Sequence, residues 1–145
     1  SWIISSQLNK VDSLLKERKY KSAETILDSI SDLVPDLLIE EKERYYELYT
    51  NIYFADQNNQ ANAIPYLEKL INHTSDSTKK EQRKILLLCL KKEYEQALLL
   101  IDRQLKEASS NRDILLGFKI NILLLDFSKI SISSNEISYS GPITV

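Results

Sequence analysis

The sequence predicts an all-α fold, a right-handed α-solenoid of about seven helices arranged as antiparallel pairs. Three observations carry this prediction. Gly occurs twice and Pro three times in 145 residues, whereas β-rich folds need many tight turns built on both. Apolar residues recur at helical spacing between short polar links. A short motif also returns three times along the chain, as stacked repeats require.

The elements follow in order. Leu8, Val11, Leu14 and Leu15 place a first helix over 3–17, and Tyr20, Ala23, Ile26, Leu27, Ile30 and Leu33 a second over 20–33. So short a link folds the two into a hairpin. Pro35 is expected to end the second helix, and Asp36 to cap the third. That third helix, 37–55, carries Tyr45, Leu48, Tyr49, Ile52 and Ala55 on one face. Residues 56–60 read as a polar turn. A fourth helix over 61–72 carries Ala63, Tyr66, Leu67, Leu70 and Ile71, with Pro65 in its first turn, where a missing N–H costs little. Thr78 and Glu81 have the spacing of a capping box and open a fifth helix that runs to about Leu90. A sixth covers 94–107. Ser110 and Asp113 open a seventh over 112–129.

The recurring segments are Tyr20-Lys21-Ser22-Ala23, Gln60-Ala61-Asn62-Ala63 and Tyr94-Glu95-Gln96-Ala97. Each begins the second helix of a pair. The last two alanines are 34 residues apart, and the first two are 40 apart, an insertion of 6 that the long third helix absorbs. On these residues the chain resembles the tetratricopeptide-repeat family, whose second helix carries a small residue, a large apolar residue four later and a closing proline. Ala23, Leu27 and Pro35 match all three; Ala63 with Leu67, and Ala97 with Ile101, match the centre. A small side chain there lets two helices approach closely while the larger one fills the groove beside it. The family's first-helix positions are poorly kept, at Gln7, Lys10 and Val11, and Ser75 and Ser109 stand where two closing prolines would be. Other antiparallel helical-repeat folds, including the solenoid half of PCI-type subunits, share the pattern. The resemblance divides residues 1–130 into repeats at about 4–36, 37–76 and 77–110 plus an extra helix at 112–129, followed by a tail or linker at 131–145.

The bulk properties exclude several functions. The net charge is −2 and the charges alternate in sign, so no broad cationic face awaits nucleic acid. The longest apolar runs fall far short of a membrane span. One cysteine, Cys89, allows no internal disulfide and suits a reducing, cytoplasmic setting. A chain that opens at Ser1 without any Met reads as an excised piece. His73 and Cys89 stand alone and cannot assemble a zinc site; Cys89, inside Leu86-Leu87-Leu88-Cys89-Leu90, reads as a small buried hydrophobe. The two glycines, Gly117 and Gly141, cannot form a phosphate loop. No enzyme activity, metal or cofactor is expected.

The expected function is that of a protein–protein interaction scaffold that binds a peptide or partner protein in its concave groove. The resemblance assigns that groove to first helices. It places Tyr45, Leu48 and Ile52 there from the second repeat, with Ala55 beside them, and Lys79, Gln82 and Arg83 from the third, with Leu86 and Cys89. Leu8 and Asp12 come from the first. The cluster of Tyr45, Tyr46, Tyr49, Tyr53 and Phe54 reads either as an amphipathic floor or as packing between helices. The family's carboxylate clamp would keep Lys79 and Arg83, but Leu8, Asp12 and Tyr49 occupy its other positions, so no chaperone-tail binding is expected. Alternatives are the ligand- or peptide-sensing domain of a regulator and a structural subunit of a larger assembly. The helix over 112–129 is apolar nearly all round and needs cover, from a further helix, the tail or a second copy of the chain as a homo-oligomer. The tail alternates Ile130, Ile132, Ile137 and Tyr139 with serines around a turn-like 133–136, which fits either a linker or a β-hairpin.

Overall fold

The computed structural model describes residues 2–56, 58–107, 112–124, 130–132 and 137–139. Apart from two short strands the described chain is helical, and it divides into two compact units, residues 1–74 and 75–145.

In the first unit, α1 (Trp2–Lys16) buries Ile4, Leu8 and Val11, and α2 (Tyr20–Ser29) buries Ala23 and Leu27. A 3-10 segment (Ser31–Asp36) leads to α3 (Ile39–Phe54), and a second one (Gln60–Ala63) leads to α4 (Ile64–Asn72). The α-helix of α2 stops at Ser29, short of the residue 33 expected from periodicity. Pro35 offers no N–H to Ser31 and its ring crowds that carbonyl, so the chain tightens into the 3-10 segment, with Pro35 inside it. Asp36 is not the cap of α3. The Leu38 N–H donates instead to Glu41 Oε1 at 3.0 Å, one half of a capping box. Pro65 does stand in the first turn of α4. Ile4, Leu8, Val11, Ala23, Leu27, Ile30, Val34, Tyr45, Leu48, Tyr49 and Ile52 form one core cluster.

In the second unit, α5 (Ser77–Leu90), α6 (Tyr94–Glu107) and α7 (Arg112–Leu124) are followed by the strands β1 (Ile130–Ile132) and β2 (Ile137–Tyr139). The cap of α5 is Asp76 rather than Thr78. Its carboxylate accepts the Lys79 N–H at 2.9 Å, and a charged acceptor suits the positive end of a helix. Leu115, Phe118 and Ile122 of α7 are buried. The strands pair antiparallel with Ile132 opposite Ile137, and β2 runs alongside α7 and α5. The strand pair thus supplies part of the cover that α7 requires. Ser110 and the expected extension of α7 through 125–129 lie outside the described residues.

The internal repeat is visible as packing. Residues 21–30 and 61–70 alternate between exposed, half-buried and buried in the same order, position for position, and 95–101 repeats the first seven. Ala23, Ala63 and Ala97 are all completely buried, as are Leu27, Leu67 and Ile101 four residues on. The turns of the first and third pairs also coincide. Arg18 (φ 60°) and Lys92 (φ 61°) adopt the left-handed conformation. Their N–H groups donate to Leu15 and Cys89 carbonyls, and the next N–H groups, of Lys19 and Glu93, donate to Leu14 and Leu88. This is the Schellman ending. The carbonyls of Lys19 and Glu93 then accept the first bonds of the following helices, from Ala23 and Ala97. No described helix is long and apolar enough to cross a membrane.

Candidate functional site

The polar chemistry of the first unit gathers along α3. Tyr45, Tyr49 and Tyr53 follow one another a turn apart, which aligns them on one stripe. The Tyr45 hydroxyl donates to the Leu27 carbonyl at 3.3 Å, the Tyr49 hydroxyl donates to the Asp28 carboxylate, and Tyr53 meets Glu24. From Tyr49 to Tyr53 the partners on α2 fall from Asp28 to Glu24, so the two helices run antiparallel. Tyr66 of α4 stacks on Tyr49 and Tyr53, with centroids 4.5 and 5.1 Å away and rings within 7° of parallel. Tyr45 meets Tyr49 and Tyr46 edge-on at 5.2 and 5.3 Å. Tyr46 in turn faces His73 at 5.3 Å, and Lys69 Nζ lies 5.7 Å from its ring centre. Each such ring contact contributes about 0.5–1.5 kcal/mol beyond area burial. Burial pushes the Tyr45 phenol up to about 12, with Tyr46 and Asp28 adding to it. Tyr53 is raised as well, chiefly by burial and then by Tyr66 and Glu24. These hydroxyls therefore stay protonated donors, and the cluster joins three helices.

The groove positions assigned by resemblance are mostly covered. Tyr45, Leu48 and Ile52 lie together in the core of residues 1–74. Lys79, Gln82 and Arg83 share a face of α5 in residues 75–145; Lys79 is half-buried, while Gln82 and Arg83 are 2% and 1% exposed. Among the described residues, Gln82 Oε1 is buried without a hydrogen-bond partner, an expensive state for an amide oxygen. Leu8 is buried, and Asp12 pairs with Lys16 at 3.5 Å near the surface.

Cys89 is buried, and burial pushes its thiol up to about 12, away from the reactive thiolate. His73 Nδ1 lies 2.8 Å from the Lys69 carbonyl, a bond that closes the end of α4. Among the described residues, no three His, Cys, Asp or Glu side chains converge on a metal position.

A surface passed over by the sequence reading lies at one end of the first unit. Trp2, Ile3, Leu33, Leu38 and Ile39 are exposed. Its signal in the sequence is the run Leu37-Leu38-Ile39 at a helix start: three consecutive apolar residues cannot share one face of a helix. Comparison of the chain with protein-family models, curated proteins and solved structures finds no match.

Proposed function

We propose that the chain is a protein-binding scaffold, its helix pairs stacked as a right-handed solenoid of tetratricopeptide type, with a partner protein or peptide held along the first helices. The observation that supports this reading is the threefold return of one burial pattern, with a fully buried alanine and a fully buried large residue four later each time. Units that repeat in this way bury their faces by stacking, and stacks present extended surfaces for recognition. In this reading the covered residues Tyr45, Leu48, Ile52, Gln82 and Arg83 shape the groove wall from within. Lys79, which retains accessible surface, touches the partner and orients it by charge.

The test is capture from the source organism's lysate with a photo-crosslinking residue placed at position 79 or, on α6, at the exposed position 106. Adducts to one protein at 79 and not at 106 are expected. Retention of no protein at either position sinks the scaffold reading. Alanine at Tyr45, Leu48 and Ile52 together is the wrong probe, because truncating each buried side chain costs about 2–5 kcal/mol of stability.

A further inference from the structure

We propose that the exposed apolar end of residues 1–74 docks a basic amphipathic segment of another protein, one that sets Lys or Arg beside bulky aliphatic side chains. The topology of that unit brings the surface together. The α1–α2 turn of residues 17–19 reverses the chain, and the Tyr49–Asp28 and Tyr53–Glu24 contacts show that α2 and α3 run antiparallel. The start of α1, the end of α2 and the start of α3 therefore share one end. Arg44 Nη2 donating to Asn9 Oδ1 at 2.6 Å ties α1 to α3 in this register. Trp2 lies seven residues before Asn9, and Leu37 seven before Arg44. Trp2 is 79% exposed, and Leu38 and Ile39 are 63% and 64% exposed. Ile3, next to Trp2, and Leu33, past the end of α2, are exposed as well. Scattered apolar residues on a surface are ordinary, but a set that the topology brings to one end, with a tryptophan in it, points to an interaction surface.

Charge selects the occupant. Between Lys21 and Lys42 the chain carries no Lys or Arg, while Glu24, Asp28, Asp32, Asp36, Glu40 and Glu41 all fall there. Asp28 is engaged by Tyr49 and Glu41 by the Leu38 N–H. Asp32, Asp36 and Glu40 are exposed and interleave with Leu33, Leu38 and Ile39. An apolar surface rimmed by carboxylates repels anionic membranes and acidic peptides, and it attracts apolar segments that carry cations. A second copy of this chain would bring the same carboxylates face to face, which disfavours a dimer through this end.

The inference goes beyond the groove reading, because it uses a different surface. Trp2 is the only tryptophan, so its emission reports the site directly. The probes are two synthetic helical peptides with the same leucine face, one with lysines and one with glutamates on the opposite face, titrated into the full chain. The Leu/Lys peptide is expected to shift Trp2 emission to the blue with an affinity that falls as salt rises, and the Leu/Glu peptide to leave it unchanged. Leu38→Ser and Ile39→Ser, both exposed and harmless to the core, are each expected to weaken the Leu/Lys peptide about tenfold. Asp32→Lys with Glu40→Lys should remove the preference between peptides. Equal binding of both peptides, no blue shift with either, or binding indifferent to Leu38→Ser overturns the proposal. So does a blue shift produced by raising protein concentration alone with a dimer in sedimentation, which assigns the end to a second copy. Failure of these peptides alongside adducts at position 79 leaves the scaffold reading standing and removes only this docking surface.

Discussion

Tyr45 and Cys89 show how single residues report their burial. Both groups are neutral when protonated, and burial raises both to about 12, from ordinary values of 10 and 9. Unfolding releases them to those ordinary values, so in the window above pH 9 the unfolded chain loses protons that the folded chain keeps. Their contribution to stability is therefore fully present below pH 9 and is lost as pH rises toward 12. Urea melts at a series of pH values should show a flat midpoint from pH 7 to 9 and a decline beyond it. Cys89→Ala should remove the part that begins near pH 9, and Tyr45→Phe part of the decline above pH 10. A decline that survives both substitutions unchanged would assign it to other groups. The same burial implies that Cys89 labels with a thiol reagent only when the second unit opens, so that its labelling slows as the unit is stabilised.

At the scale of elements, the paired Schellman turns invite a symmetric test. A side chain in the left-handed conformation costs about 1–2 kcal/mol, a cost glycine avoids. Glycine also loses more freedom on folding, so Arg18→Gly and Lys92→Gly should each stabilise the chain by a net of about 0.5–1 kcal/mol. Thermal melts check this, and unequal signs at the two positions would show that the turns are not equivalent. The helices themselves were legible in the sequence because apolar spacing reports one face directly. The Ala-to-Leu motif was legible because a small residue facing a large one is a packing rule. The helix starts were read less well. Asp36 and Thr78 looked like caps by residue type, but the cap is chosen by where the chain first turns helical, and Pro35 and Asp76 moved that point. The groove residues Tyr45, Leu48 and Ile52 were placed by resemblance, which says which face of a helix looks inward and not how much of it remains uncovered. The apolar end at Trp2 and Leu38 escaped notice because periodicity counts residues that fit a stripe and ignores those that do not.

At the scale of the molecule, residues 1–74 contain the whole of the core cluster that runs from Ile4 to Ile52. The tyrosines of α3 join α2 to α4 within the same residues. That cluster and the tyrosine contacts lie wholly within the unit and give it means to fold alone, though a domain of this length sits near the lower limit of independent stability. Expressed by itself, residues 1–74 should be helical by circular dichroism and should melt cooperatively, with an unfolding enthalpy of about 50 kcal/mol near 60 °C. In a solenoid, each repeat also gains from its neighbour's interface. If the proposed stacking holds, the isolated unit should then melt below the full chain. A fragment that is unfolded at all temperatures would mean that residues 75–145 complete its core. A fragment that melts where the full chain does would mean that the two units do not support one another, and the stacked solenoid would lose its main energetic justification.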